Sequence, residues 1–168
     1  MKALLQLLTF ASLLLFQVGC SPDSVEPLVV EPPQEQQKEN PEENRDDTMP
    51  DEIKISVSGK TLPVKIEDNE ATKALVAALS EASITYEAHD YGGFEKVGPL
   101  GLTLPANNSQ ITTQPGDVIL YSGNQIVLFY GSNTWSYTRL GKIQYESLDE
   151  LKSFLKAGEG IISVTLSL

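Results

Sequence analysis

Cysteine, histidine and tryptophan each occur once in the 168 residues, as Cys20, His89 and Trp135. With one histidine and one cysteine, the usual zinc ligand sets are out of reach. Glu87 and His89 stand at i, i+2 and share a strand face, but no third ligand follows at a recognisable spacing. A surface histidine and no metal are the expectation. No serine, histidine and acid group supports acyl transfer. Ser58-Gly59-Lys60-Thr61 lacks the leading glycine and the strand-to-helix context of a phosphate loop, so no cofactor is expected either. Basic residues are also scarce, 12 against 23 acidic ones for a net charge of −11. No basic stripe exists to neutralise phosphates, which excludes nucleic acid as a partner. Finally, the one long apolar run, 3–16, is interrupted by Gln6, Thr9 and Ser12. It falls short of the roughly 20 residues a spanning helix needs, which argues against a permanent membrane span.

What is present at the N-terminus reads as an export signal. Lys2 precedes the apolar run, and the run ends at small residues rather than at a positive stop-transfer cluster. The segment closes on Gln17-Val18-Gly19-Cys20, which resembles the lipobox of bacterial lipoproteins, although Gln17 stands where that motif has an apolar residue. The resemblance implies lipidation of Cys20, a mature chain beginning there, and a partner in the lipid bilayer through the acyl anchor. A lone thiol in an oxidising compartment would otherwise be a liability, and lipidation removes it. Residues 1–20 are therefore expected to be a lipoprotein signal peptide, and the protein to reside in the bacterial cell envelope.

Composition shifts abruptly beyond Cys20. Residues 21–52 carry 11 acids against Lys38 and Arg45, with Pro22, Pro27, Pro32, Pro33, Pro41 and Pro50 and few branched residues outside Leu28-Val29-Val30. Such a segment buries too little apolar surface to offset ordering entropy, so an extended acidic linker is expected.

Residues 53–168, one domain's worth of chain, carry only 12 acids against 9 bases. Ile53, Ile55 and Val57 alternate with polar residues, Ser58-Gly59-Lys60 turns the chain, and Leu62, Val64 and Ile66 alternate again, which predicts a β-hairpin. Asp68-Asn69-Glu70 precedes a stripe of Ala71, Ala74, Leu75, Ala78 and Leu79 at helical spacing. Strand-like runs recur at 84–88, 94–97, 118–121 and 125–130. A second helix is announced by the capping box Ser147-Leu148-Asp149-Glu150, with Leu151, Phe154 and Leu155 inward and Gly158 as its stop. Ile162, Val164, Leu166 and Leu168 then alternate along a closing strand. The order predicts a mainly β fold, a small barrel with two short helices.

Four motifs in this domain carry a further resemblance: Asp90-Tyr91-Gly92-Gly93-Phe94-Glu95-Lys96-Val97-Gly98, Pro115-Gly116-Asp117-Val118, Gly123-Asn124-Gln125-Ile126-Val127-Leu128-Phe129-Tyr130, and Tyr137-Thr138-Arg139-Leu140-Gly141-Lys142-Ile143. Together they resemble the bacterial cyclophilin-like domain family. This implies a closed, cyclophilin-like eight-stranded β-barrel with two short helices, and, by analogy with family members met beside flavodoxin-like proteins, a possible partner of that kind. It implies little about activity, because the signature stretches of true cyclophilins around their catalytic arginine are missing.

The chemistry of prolyl isomerisation nevertheless gives a criterion. The rotation barrier of about 18–20 kcal/mol reflects amide resonance, and a guanidinium bonded to the prolyl nitrogen localises its lone pair. Arg139 is the domain's only arginine and lies among aromatic neighbours, which makes it the candidate catalytic residue. Its alternative role is to pair with Glu95 or Asp117 at the barrel rim. Tyr91, Gly92, Gly93, Phe94, Trp135 and Tyr137 are the candidate ligand-binding residues, placed where 91–96 and 135–139 meet across the barrel mouth. The alternative role of the two glycines is a barrel-corner turn. The function expected is a peptide- or ligand-binding module of the envelope, with peptidyl-prolyl cis-trans isomerase as the alternative.

Overall fold

A computed structural model describes residues 49–168. The expected signal peptide, Cys20 and most of the acidic linker lie outside the described residues. The chain opens on strands β1 (Glu52–Val57) and β2 (Lys60–Ile66), paired antiparallel with Ile53 opposite Val64 and Val57 opposite Lys60. Ser58 and Gly59 join them at φ of 50° and 80°, the left-handed pair that a two-residue hairpin turn requires. Helix α1 (Glu70–Glu81) follows, capped by Asn69, whose side chain accepts the Thr72 N–H at 3.0 Å. The same amide donates to the Arg139 carbonyl at 2.8 Å and ties the helix start to a distant strand.

Seven strands and a helix complete the fold: β3 (Ile84–Tyr91), β4 (Glu95–Pro99), β5 (Ser109–Thr112), β6 (Asp117–Tyr121), β7 (Gln125–Phe129), β8 (Thr134–Ile143), α2 (Leu148–Phe154) and β9 (Ile162–Ser167). Every pairing is antiparallel in the order β2-β1-β9-β3-β4-β7-β6-β8, and β8 returns to β2 through Val64 opposite Ile143 and Ile66 opposite Gly141. This is the closed eight-stranded barrel with two helices that the sequence predicts. Strand β5 is an addition, paired only with the first half of β8.

One helix end differs from expectation. Ser147 caps α2 and accepts the Glu150 N–H at 3.2 Å, but Lys156, at φ 46°, is the left-handed stop, not Gly158. The Lys156 N–H bonds to the Ser153 carbonyl and the Ala157 N–H to the Lys152 carbonyl, the paired closure that satisfies a helix's last carbonyls. Gly158 has a different task. Its N–H and that of Gly160 donate to Asp90 at 3.1 and 2.8 Å.

The interior holds Ile53, Ile55, Val64, Val118, Leu120, Ile126, Leu128, Leu140, Val164 and Leu166, joined by Leu75 from α1 and Leu151 and Phe154 from α2. Each such side chain contributes about 1.5–3 kcal/mol on burial. A second, smaller cluster of Val97, Ile119, Val127, Phe129 and Tyr137 lies on the opposite face of β4, β6, β7 and β8, with Phe94 and Ile111 packed against it. These strands are therefore apolar on both sides, and the second side faces out of the barrel.

A buried ion pair fixes the β3–β4 hairpin beneath that outer face. The fully buried Lys96 ammonium donates to Asp90 at 2.8 Å and to the Gly160 carbonyl at 2.6 Å. Asp90 also accepts the Tyr130 hydroxyl at 2.9 Å. Burial alone would raise the Asp90 carboxyl, but Lys96, the two glycine N–H groups and Tyr130 together hold it down at about 2. Because side chains alternate along a strand, this lock on Asp90 and Lys96 leaves His89, Tyr91, Glu95 and Val97 to the outer face.

Candidate functional site

Register alone assembles the outer face. His89 pairs with Val97 and Tyr91 with Glu95 across β3 and β4; Glu95 pairs with Phe129 and Val97 with Val127 across β4 and β7; Ile119 pairs with Val127 and Tyr121 with Gln125 across β6 and β7. Strand β8 continues the row, with Arg139 opposite Ile119 and with Tyr137 and Trp135 further toward its start. Part of this face forms a cleft of about 540 Å³ lined by His89, Tyr91, Glu95, Val97, Tyr121, Gln125, Val127, Asn133, Trp135 and Tyr137. That volume suits a drug-sized molecule or a short peptide segment.

The cleft has a dry floor and wet, aromatic walls. Val97, Val127 and Tyr137 are buried, whereas Tyr91 is 62% and Trp135 58% exposed. Tyr137 sits edge-on to Phe129 at 5.8 Å and to Tyr121 at 6.0 Å between ring centroids. Its hydroxyl accepts the Asn133 amide at 3.0 Å, yet burial, with the charge of Glu95 adding to it, holds the phenol above its ordinary value.

Glu95 is the chemically unusual member. Only 6% exposed, it has a buried carboxylate oxygen, Oε2, with no hydrogen-bond partner among the described residues. Desolvation pushes its carboxyl up to about 7. Buried polar groups are normally satisfied, so an orphan carboxylate oxygen with a raised pKa in a cleft wall makes Glu95 a candidate functional residue.

Of the residues singled out from the sequence, the structure brings Tyr91, Trp135 and Tyr137 together in one cleft. It does not bring Gly92, Gly93, Phe94 or Arg139 into the lining. Gly92 and Gly93, at φ 61° and 76°, are the two central residues of the β3–β4 turn. A side chain at Gly92 would also strike the Phe94 ring. Phe94 is packed away, stacked on Phe129 with ring planes 8° apart. Arg139 donates through Nη1 to Oδ1 of the fully buried Asp117 at 2.8 Å, while Oδ2 of that carboxylate accepts the Gln114 N–H at 2.8 Å. Lys142 approaches the same Oδ1 at 3.8 Å. The arginine thus takes its alternative role as the partner of a buried acid.

Sequence reasoning missed Val97, Tyr121, Gln125, Val127 and Asn133 as lining, and considered His89 and Glu95 only as a metal ligand and an arginine partner. A signal for some of them was present. The unbroken apolar runs Val118-Ile119-Leu120 and Ile126-Val127-Leu128-Phe129 read as strands buried on both faces, which in a barrel demands an apolar patch outside.

No curated protein matches the sequence. Among solved structures, a hypothetical protein from Archaeoglobus fulgidus is 18% identical, with a TM-score of 0.49 over 69% of this chain and 92% of that one. McbB, solved in complex with tryptophan, is 14% identical, with a TM-score of 0.46 over 68% of this chain and 44% of that one. Residues 55–167 match the model of the cyclophilin-like family, from the second residue of the first hairpin's apolar stripe to the end of β9. The chain belongs to the cyclophilin-like family.

Proposed function

We propose that this protein is a lipid-anchored bacterial envelope protein whose cyclophilin-like barrel binds a peptide or small ligand in the outer-face cleft without isomerising prolyl bonds. The observation that carries this reading is the disposition of charge. The domain's one arginine is engaged with Asp117 and stands outside the lining, and the cleft carries a carboxyl, Glu95, where isomerase chemistry asks for a guanidinium. Aromatic walls over a dry floor, with a few oriented polar groups, are the usual make-up of a binding site. The anchoring half of the proposal rests on the lipobox-like sequence ending at Cys20 and on the acidic linker that would hold the domain away from the bilayer.

Two measurements on the full chain test it. Trp135 is the only tryptophan and stands in the cleft wall, so its fluorescence is expected to change as short proline-containing peptides are added, and Tyr137→Ala is expected to weaken that response. In a prolyl isomerisation assay, both the unaltered chain and Arg139→Ala are expected to leave the uncatalysed rate unchanged. Acceleration by the unaltered chain that vanishes with Arg139→Ala would establish the isomerase instead.

A further inference from the structure

We propose that the cleft recognises a protonated amine, with the Glu95 carboxylate as its counter-charge and Tyr91, Tyr121 and Trp135 as its aromatic surround. The inference rests on the binding reading above and adds to it the chemical class of the ligand.

Three observations converge on a cation. The first is the orphan Oε2 of Glu95, buried in the lining with no partner of its own. Ionised and unpaired, such an oxygen is costly to keep out of water, and an ammonium N–H removes that cost while forming a charge-assisted hydrogen bond. The second is the aromatic content of the walls, whose ring faces carry negative potential and attract organic cations. The third is the placement of the protein's own positive groups. Among the described residues no lysine or arginine lines the cleft, while Lys96 is held by Asp90 and Arg139 and Lys142 by Asp117. The groups that share the lining with Glu95 are His89 and Tyr91 from β3, Tyr121 from β6, Gln125 from β7, Tyr137 from β8 and Asn133 before it. Nothing there provides a fixed positive charge to receive an anion, and a carboxylate or phosphate ligand would meet Glu95 as a like charge. Gln125 and Asn133 supply amide donors and acceptors for the remainder of a ligand.

A protonated amine reaches such a site either on a free small molecule or as a peptide N-terminus, and the experiment separates the two. Four probes are titrated against the full chain in mild detergent with Trp135 fluorescence as readout: benzylammonium, benzyl alcohol, a proline-containing tetrapeptide with a free N-terminus, and the same peptide N-acetylated. The expected result is that benzylammonium binds at least about tenfold more tightly than benzyl alcohol, and that Glu95→Gln removes the difference. A matching preference for the free over the acetylated peptide identifies a peptide N-terminus as the source. Absence of that preference, with the benzyl pair still split, identifies a free amine. Should Glu95→Gln fail to fold, the benzyl comparison on the unaltered chain decides alone. Equal binding of benzylammonium and benzyl alcohol overturns the amine inference and leaves the binding function standing. Silence of Trp135 toward all four probes overturns both.

Discussion

Glu95→Gln removes one negative charge from the cleft wall while keeping the side chain's shape, and its consequence for stability has a definite sign. In the folded protein the carboxyl is pushed from its ordinary 4.5 up to about 7 by desolvation. The native state therefore holds this proton more tightly than the unfolded chain does. Stability from this group is fully present below the unfolded value, declines as pH rises through about 7, and is constant above it. Unscreened, the shift corresponds to about 3 kcal/mol between the two limits. The cleft opens to water, which screens the charged form, and ~1–2 kcal/mol is the expected net. Urea unfolding at about pH 5 and pH 8, read as a midpoint change at constant slope, measures it. The unaltered domain should lose ~1–2 kcal/mol more than Glu95→Gln on going from the lower to the higher pH. Groups titrating elsewhere are common to both proteins and cancel in the comparison. Parallel pH dependences would mean that Glu95 is well solvated or already partnered, and would remove the physical basis for calling it the cleft's distinctive group.

Asp90→Ala strands the fully buried Lys96 ammonium and removes the acceptor of two backbone N–H groups, so a loss of about 3–5 kcal/mol is expected by chemical denaturation. Because the Asp90 carboxyl is depressed to about 2, its contribution is present above the ordinary carboxylate range and fades only as the pH falls through that value, which acid titration of unfolding would show. Tyr86→Phe should stabilise the domain by about 1 kcal/mol, measured as a raised thermal midpoint, because the Tyr86 hydroxyl is buried without a partner. If the proposed anchor at Cys20 holds, Cys20→Ser is expected to move the protein from the membrane fraction to the soluble fraction without changing that midpoint, since residues 21–52 carry little apolar sequence that could join the core.

Much of this fold is legible from sequence because its strands alternate. The hairpin of β1 and β2, the closing strand β9 and both helix starts follow from Ile53, Ile55 and Val57, from Ile162, Val164 and Leu166, and from the side chains of Asn69 and Ser147 acting as caps. Strand β5 was not legible. Ser109-Gln110-Ile111-Thr112 has one apolar residue, and it is held by pairing to β8 and by Ile111 packing outside the barrel, neither of which leaves a periodic trace. The end of α2 misled for a related reason, because the left-handed residue there is Lys156, where glycine is the usual signal. At the cleft, aromatic residues were the readable part. Glu95 was not, since nothing in a sequence tells a carboxylate with a partner from one without.

The displacement of the site away from the two glycines follows from how a barrel uses its strands. A sheet closed on itself has one face for the core, and the odd and even positions of each strand are assigned once the register is set. Lys96, Gly98 and Leu128 fall to the inside of β4 and β7, so Glu95, Val97 and Val127 must fall outside. An outer face with Val97, Ile119, Val127, Phe129 and Tyr137 on it cannot be left to water without cost. Phe94, folded back over the Gly92–Gly93 turn onto Phe129, covers one part, and Ile111 on β5 covers another. The part that neither covers is the cleft between Tyr91 and Trp135, whose floor is apolar and whose one ionisable wall group, besides His89 and the tyrosines, is Glu95. The turn glycines and Phe94 thus belong to the lid on the patch, and Arg139, one step further along β8, belongs to the ion pair that closes its far edge with Asp117. The proposed binding falls to the uncovered remainder, where an apolar surface and an unpartnered charge adjoin.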